Sequence, residues 1–194
     1  RDDAGRLRAA KQKMLQRDLA GRGIQSQSVL EAMARVPREN FLPSRLKTHA
    51  YDDRALPIDC EQTISQPYIV ALMTELLDVR PDHHVLEIGT GSGYQAAVLS
   101  ELADDVVTLE RHAKLSTEAQ GNLGGLACGN VRCIVSDGSL GWPEGAPYDR
   151  ILITAAAEQV PPALLDQLAD EGLLVAPIGS LDQQDIVVVE RHGE

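Results

Sequence analysis

The run Val85-Leu86-Glu87-Ile88-Gly89-Thr90-Gly91-Ser92-Gly93-Tyr94 is an apolar strand candidate that carries a carboxylate near its end and opens into a glycine-rich turn. Glycines reach positive φ and let a ligand approach the backbone with no Cβ in the way, and in open α/β sheets ligands sit beyond the strand C-termini. The spacing is GxGxG, and Tyr94 stands where a dinucleotide fingerprint needs its third glycine. Glu87, two residues before Gly89, would welcome an ammonium group and repel a pyrophosphate. Together these features favour a cofactor that is cationic at that end, S-adenosylmethionine, over a dinucleotide.

Glu110 closes the next apolar run, Val106–Leu109, seventeen residues after Gly93. Doubly wound cofactor enzymes place an acid there to accept hydrogen bonds from ribose hydroxyls. Asp137-Gly138 follows a third run, Val131–Val135, and can flank an adenine, although Asp-Gly alone is a common turn signal. No Cys, His or Asp grouping has metal-ligand spacing, and no Ser-His-Asp pattern indicates a hydrolase.

The elements that must position these residues follow from periodicity. Strands are expected at Val85–Ile88, Val106–Leu109, Val131–Val135, Arg150–Thr154, Leu173–Pro177 and Ile186–Glu190. Helices are expected at Tyr94–Leu102, Ala113–Leu123 and Pro161–Leu168, and the alternation implies an α/β, Rossmann-like doubly wound, mostly parallel sheet. Before the sheet, Ala4–Ala20 reads as an amphipathic helix stopped by Gly21 and Gly23. A second helix is expected from a capping box at Ser28-Val29-Leu30-Glu31 to just before Pro37. Asn40–Asp59 reads as an irregular connection. Ser65-Gln66-Pro67 reads as a helix entry, with Ser65 as cap, for a helix running to about Leu77. One domain over 1–194 is expected, with a helical and loop region at 1–78 and the cofactor core at 79–194.

The 194 residues are 43% hydrophobic and 24% charged, ordinary for a globular chain, and only 3% aromatic, so the core must rest on aliphatic side chains. A net charge of -11 repels phosphate backbones and argues against nucleic-acid partners. No apolar run approaches the ~20 residues of a membrane span. Without a signal-peptide core, and with three cysteines lacking a CxxC spacing, a cytoplasmic location with reduced thiols is expected.

The motifs resemble those of the protein-L-isoaspartate O-methyltransferase family. The likeness runs through Arg35-Val36-Pro37-Arg38, Asn40-Phe41-Leu42-Pro43, Gln62-Thr63-Ile64-Ser65-Gln66-Pro67, Val85–Tyr94, Ser136-Asp137-Gly138, Tyr148-Asp149-Arg150-Ile151, Pro161-Pro162-Ala163-Leu164 and Gly172–Gly179. The resemblance implies a class I methyltransferase that moves a methyl group from S-adenosylmethionine to the free carboxylate of isoaspartyl residues, leaving S-adenosylhomocysteine. It implies Ser65 as the active-site hydroxyl. It assigns the cofactor to Gln62, Thr63, Ile64, Ser65, Glu87, Gly89, Thr90, Gly91, Glu110, Arg111, Asp137 and Gly138, and an extended acceptor peptide to the strand end at Ile178-Gly179. No metal is implied, and a monomer acting on unfolded or aged proteins is expected.

The chemistry suits these residues, because a carboxylate with a pKa near ~4 is already ionised at neutral pH and needs no strong base. Alignment and desolvation remain, for which a hydroxyl is adequate. Two departures stand out. Cys60-Glu61 precedes Gln62 where the family often has Gly, and the chain stops at Glu194, where the family continues to a final strand; a shortened sheet lacking that strand is expected. The alternatives are a same-fold methyltransferase with another acceptor, a non-catalytic cofactor-binding module and, remotely, a nicotinamide oxidoreductase.

Overall fold

The computed structural model describes residues 3–126, 128–180 and 183–193. Helix α1 (Asp3–Lys13) continues without a break into a π-helical stretch, Met14–Leu19, and a 3-10 turn, Ala20–Arg22, which Gly23 ends in the left-handed region at φ 102°. The expected helix is therefore present, with a change of register at Met14. Five residues subtend about 500° in an α-helix, which would set Met14 and Leu19 roughly 140° apart; the wider π turn brings them toward one face. Both are fully buried.

Helix α2 (Gln27–Arg35) starts earlier than the capping box at Ser28 predicts, because Ser26 is the cap and its Oγ accepts from the Val29 amide at 3.4 Å. Glu75 explains the shift. Its Oε1 accepts from the Gln25 and Ser26 amides at 2.7 and 2.6 Å and pins the chain one turn before Val29. The connection that follows is irregular as expected, with 3-10 turns at Arg38–Phe41 and Ser44–His49, but it ends in a two-stranded antiparallel hairpin, β1 (Leu56–Pro57) and β2 (Thr63–Ile64). Helix α3 (Pro67–Leu77) has Pro67 in its first turn as expected. Its cap is Gln66, with no side-chain capping bond, so the expected capping role of Ser65 is not realised.

The remaining elements are β3 (His84–Ile88), α4 (Tyr94–Ser100), β4 (Asp105–Glu110), α5 (Ala113–Gly124), β5 (Val131–Val135), β6 (Tyr148–Ile153), α6 (Pro162–Asp166), β7 (Leu168–Gly179) and β8 (Gln184–Glu190). The six long strands form one sheet in the order β5-β4-β3-β6-β7-β8. Every pairing is parallel except β7 with β8. The short link between those two strands permits only a hairpin, since a parallel return needs a crossover of roughly a dozen residues. Leu168, expected to end a helix, instead begins β7 and pairs with Tyr148, which leaves α6 short.

Both faces of the central strands β3, β4 and β6 are covered, and these strands are accordingly near-continuous apolar runs, whereas the edge strands β5 and β8 are partly exposed. Leu86, Ile88, Val107, Leu109, Ile151, Ile153 and Leu174 pack on one side with Leu164 and Leu168. Val85, Val106, Leu152 and Val175 pack on the other with Met73, Leu77 and Leu99. The N-terminal helices share a third cluster with α4, in which Met14, Leu19 and Met33 join Tyr94, Ala97 and Val98. The chain leaves β3 toward β4 and β5 on one flank and returns to β6 on the other. The strand order therefore reverses between β3 and β6, and a crevice opens beyond their C-termini.

Candidate active site

At that crevice lies a cleft of about 210 Å3. Its floor is the glycine turn after β3, where Gly89, Gly91 and Gly93 all have positive φ (98°, 53° and 91°). The turn is held from both neighbouring strands. The Gly89 and Thr90 amides donate to the Leu109 carbonyl at 2.9 and 3.1 Å. The Thr154 hydroxyl faces the Ile88 and Gly89 carbonyls at 2.9 and 2.7 Å. A Cβ on Gly89 would come within 2.7 Å of Thr154 Oγ1, whereas one on Gly91 would meet nothing nearer than Ile58 Cδ1 at 3.8 Å and would intrude on the space a ligand needs.

Glu110 lines the cleft as expected and also shapes it. Its Oε2 accepts from the Gly91 amide at 3.0 Å and its Oε1 from the His112 amide at 3.0 Å. Each carboxylate oxygen keeps a further lone pair for a ligand hydroxyl.

Glu87 occupies a different position from the one its place near the strand end suggests. It is fully buried and does not line the cleft, because it lies on the face of β3 covered by α3 and α4. Register places it beside Thr108 of β4, whose Oγ1 lies 2.6 Å from Glu87 Oε1 and 2.6 Å from Thr90 Oγ1. Glu87 Oε2 has no partner among the described residues. Burial, opposed by the Thr108 bond and reinforced by the Glu110 charge, pushes the Glu87 carboxyl up to about 8. The acid thus reaches the cleft through two hydroxyls, Thr108 and Thr90, and Thr90 is at the cleft wall.

The opposite lip is the β1–β2 hairpin and the segment after it. Gln62, Thr63, Ile64 and Ser65 all line the cleft. The hairpin turn holds Cys60 and Glu61 at φ 56° and 57°, the region that favours glycine. A glycine before Gln62 would meet this φ without strain, and the present chain makes the turn with Cys60 and Glu61 instead. Ser65 is half-buried, its carbonyl accepts from Arg38 Nη2 at 2.7 Å, and its hydroxyl bonds to no group among the described residues.

The structure therefore brings together Gln62, Thr63, Ile64, Ser65, Gly89, Thr90, Gly91 and Glu110. Arg111, Asp137, Gly138, Ile178 and Gly179 lie outside the lining. Arg111 is exposed and donates to His112 Nε2 at 3.2 Å. Asp137, exposed at the end of β5, accepts from the Ser139 amide and hydroxyl at 3.0 and 2.8 Å, and these bonds hold its carboxyl below the usual range. Gly138 packs so closely on Ile88 that a Cβ would overlap that side chain. Ile178 bridges Ala157, and the Gly179 amide donates to the Ala157 carbonyl at 3.0 Å, while their neighbours Pro177 and Gln184 reach the cleft.

Sequence reasoning missed the walls, namely Ile69, Val70 and Met73 of α3, Tyr94 and Gln95 of α4, and Thr154–Ala156 after β6. The last group was findable. The residue after the strand across the switch point belongs to the crevice, once the strand order is known.

A glycine turn leading into a helix, an acid closing the next strand and a cleft at the switch point of a six-stranded sheet define a class I methyltransferase fold. Comparison with known proteins fixes the family. The model of the protein-L-isoaspartate(D-aspartate) O-methyltransferase family matches residues 9–194. A protein-L-isoaspartate O-methyltransferase of Methanoregula boonei is 53% identical over 183 residues, 94% of this chain and 84% of that protein. A solved protein-L-isoaspartate O-methyltransferase superposes with a TM-score of 0.84 at 33% identity, over 94% of this chain and 60% of the other. A Plasmodium falciparum structure assigned to the same activity, in complex with S-adenosyl-L-homocysteine, gives 0.81 at 25% identity over 93% and 89%. The chain belongs to the protein-L-isoaspartate O-methyltransferase family, and its activity is methyl transfer to isoaspartyl carboxyl groups.

Proposed function

We propose that the cleft binds S-adenosylmethionine against the glycine turn and that Ser65 holds the acceptor carboxylate beside it. The observation that carries this reading is the Ser65 hydroxyl, which is engaged by no group among the described residues. It stands on the cleft lip, released from helix capping because Gln66 caps α3, while its backbone is fixed from below by Arg38.

The residues present fit the cofactor. The open space above Gly91 admits a ligand against the backbone. Glu110 offers carboxylate oxygens to a diol, and Thr90 offers a hydroxyl backed by the Glu87 acid. When bound, S-adenosylmethionine supplies a methyl group on a sulfonium, activated for in-line displacement. The chain's own task is alignment. Ser65 donates its hydroxyl to one acceptor carboxylate oxygen and orients the other, and Ile64, Ile69 and Met73 exclude water from the meeting point. No side chain has to remove a proton, because the acceptor is ionised above a pKa near ~4.

Arg111, Asp137 and Gly138 belong to this reading as the outer cofactor rim, and Ile178-Gly179 as the strand end beside which an extended isoaspartyl peptide runs. Pro177 and Gln184 in the lining support the latter. The enzyme acts as a monomeric single domain in the cytoplasm on isoaspartyl-containing unfolded or aged proteins; the shared cluster of N-terminal helices and α4 supports the single domain. Among the described residues no helix is long and apolar enough to cross a membrane.

The test is transfer of labelled methyl from S-adenosylmethionine to matched isoaspartyl and aspartyl peptides, scored as base-labile methanol. Label confined to the isoaspartyl peptide, and lowered about 100-fold or more in Ser65→Ala at saturating S-adenosylmethionine, is the expected result. Equal labelling of both peptides, or full activity in Ser65→Ala, contradicts it.

A further inference from the structure

Arg38 does not line the cleft, and it is fully buried. A buried guanidinium is costly unless paired, yet Arg38 has no carboxylate partner among the described residues, and the neighbouring Glu39 carboxylate is taken by the Tyr51 hydroxyl. Its Nε donates to the Ala50 carbonyl and its Nη2 to the Ser65 carbonyl, both at 2.7 Å. Its Cζ lies 4.8 Å from the centroid of the Tyr94 ring. Among the described residues, Nη1 and the Tyr94 hydroxyl are both buried without a hydrogen-bond partner.

These contacts link two halves of the site. Tyr94 is the first residue of α4, directly after the glycine turn, and Ser65 is the residue between β2 and the entry of α3. The Ser65 carbonyl takes part in no strand ladder or helix bond, and Arg38 is its one hydrogen-bond donor among the described residues. A planar fork can reach two carbonyls while its face rests on a ring; an ammonium group offers a point charge and no such face.

We infer that Arg38 is a positioning residue of the methyl transfer, whose guanidinium sets the Ser65 backbone at a fixed distance from the glycine turn by bridging Ala50, Ser65 and the Tyr94 ring. The inference rests on Ser65 being the acceptor-holding hydroxyl, and its test separates the two ideas.

The experiment is a double-mutant cycle on the full chain with Arg38→Lys and Ser65→Ala. It reads kcat and KM for an isoaspartyl peptide, with rates expressed per S-adenosylhomocysteine-binding site so that unfolded protein does not count. Arg38→Lys is expected to lower kcat/KM about 10- to 100-fold while changing S-adenosylhomocysteine affinity by less than about 3-fold. The double variant is expected to fall no more than about 3-fold below Ser65→Ala, because Arg38 acts through a hydroxyl that is no longer there. Arg38→Gln, which can reach one carbonyl and carries no charge, is expected to lose more than Arg38→Lys and provides a second variant should the first fold poorly. Losses that multiply across the cycle, or that appear equally in cofactor affinity, overturn the positioning role and leave Arg38 as structural support. Full activity in Ser65→Ala overturns the reading of Ser65 itself and the inference with it.

Discussion

The alternation of β3 turns Glu87 toward α3 and α4, where burial favours the neutral acid. The sign of the resulting pH dependence is fixed. Below about 4.5 the acid is protonated in both folded and unfolded chains; between there and about 8 only the folded chain keeps its proton; above about 8 both have lost it. Folding stability contributed by this group therefore falls as pH rises through that window and then levels. Glu87→Gln, neutral throughout, is expected to flatten the fall, as measured by denaturant unfolding of the ligand-free protein from pH 5 to 9; an unchanged slope would refute the assignment. Thr108→Val removes the hydroxyl between Glu87 and Thr90 and is expected to cost about 1–3 kcal/mol at neutral pH. Because the Thr108 bond favours the charged acid, its loss should raise the Glu87 pKa further and carry the decline to higher pH.

Among the elements, the β1–β2 hairpin carries two non-glycine turn residues at positive φ. The pair Cys60-Glu61 was legible as a departure, but its consequence was not, because φ at two turn residues depends on how the strands on either side pair. Holding an L-residue in the left-handed region costs roughly 1–2 kcal/mol, partly offset by the greater unfolded-state entropy of glycine. Glu61→Gly is expected to stabilise the protein by up to about 1 kcal/mol in denaturant unfolding, with the peptide KM little changed; a loss of stability would show that the Glu61 side chain contributes more than its backbone costs. The same contrast explains what else could be read. The central strands were visible because strands covered on both faces need near-unbroken aliphatic runs, and the glycine turn because Gly89 and Gly93, at φ 98° and 91°, lie beyond the left-handed well that Cys60 and Glu61 can still reach. The direction of β8 depends on the length of a link, the cap of α2 on Glu75 fifty residues away, and the release of the Ser65 hydroxyl on which residue caps α3. Of these, the α2 cap is decided by a tertiary contact with no local signature, while the other two turn on a link length and a choice between adjacent caps that only the folded chain displays. The cleft walls on α3 and α4 read as ordinary apolar helix faces, and only the strand order turns them toward a ligand.

At the scale of the whole molecule, an enzyme that must hold a carboxylate carries a net charge of -11. Much of that charge is exposed, so it acts on an approaching peptide through solvent as a far field rather than through any one contact. An isoaspartyl group flanked by lysines should be drawn in, and one flanked by aspartates should be repelled, although the reacting group is the same in both. The difference belongs to encounter and binding, so it should appear in kcat/KM and leave kcat nearly constant. It should also be screened. The Debye length is about 30 Å at 0.01 M ionic strength and about 3 Å at 1 M, so the preference for the lysine-flanked peptide is expected to be several-fold at low salt and to shrink toward unity as salt is raised. Measuring kcat/KM for the two peptides across that range decides the matter. A preference that persists at 1 M would mean a specific contact at the cleft rim, with exposed Glu61 on the hairpin as the first residue to neutralise, whereas no preference at low salt would mean that local positive groups around the cleft cancel the field where the peptide enters.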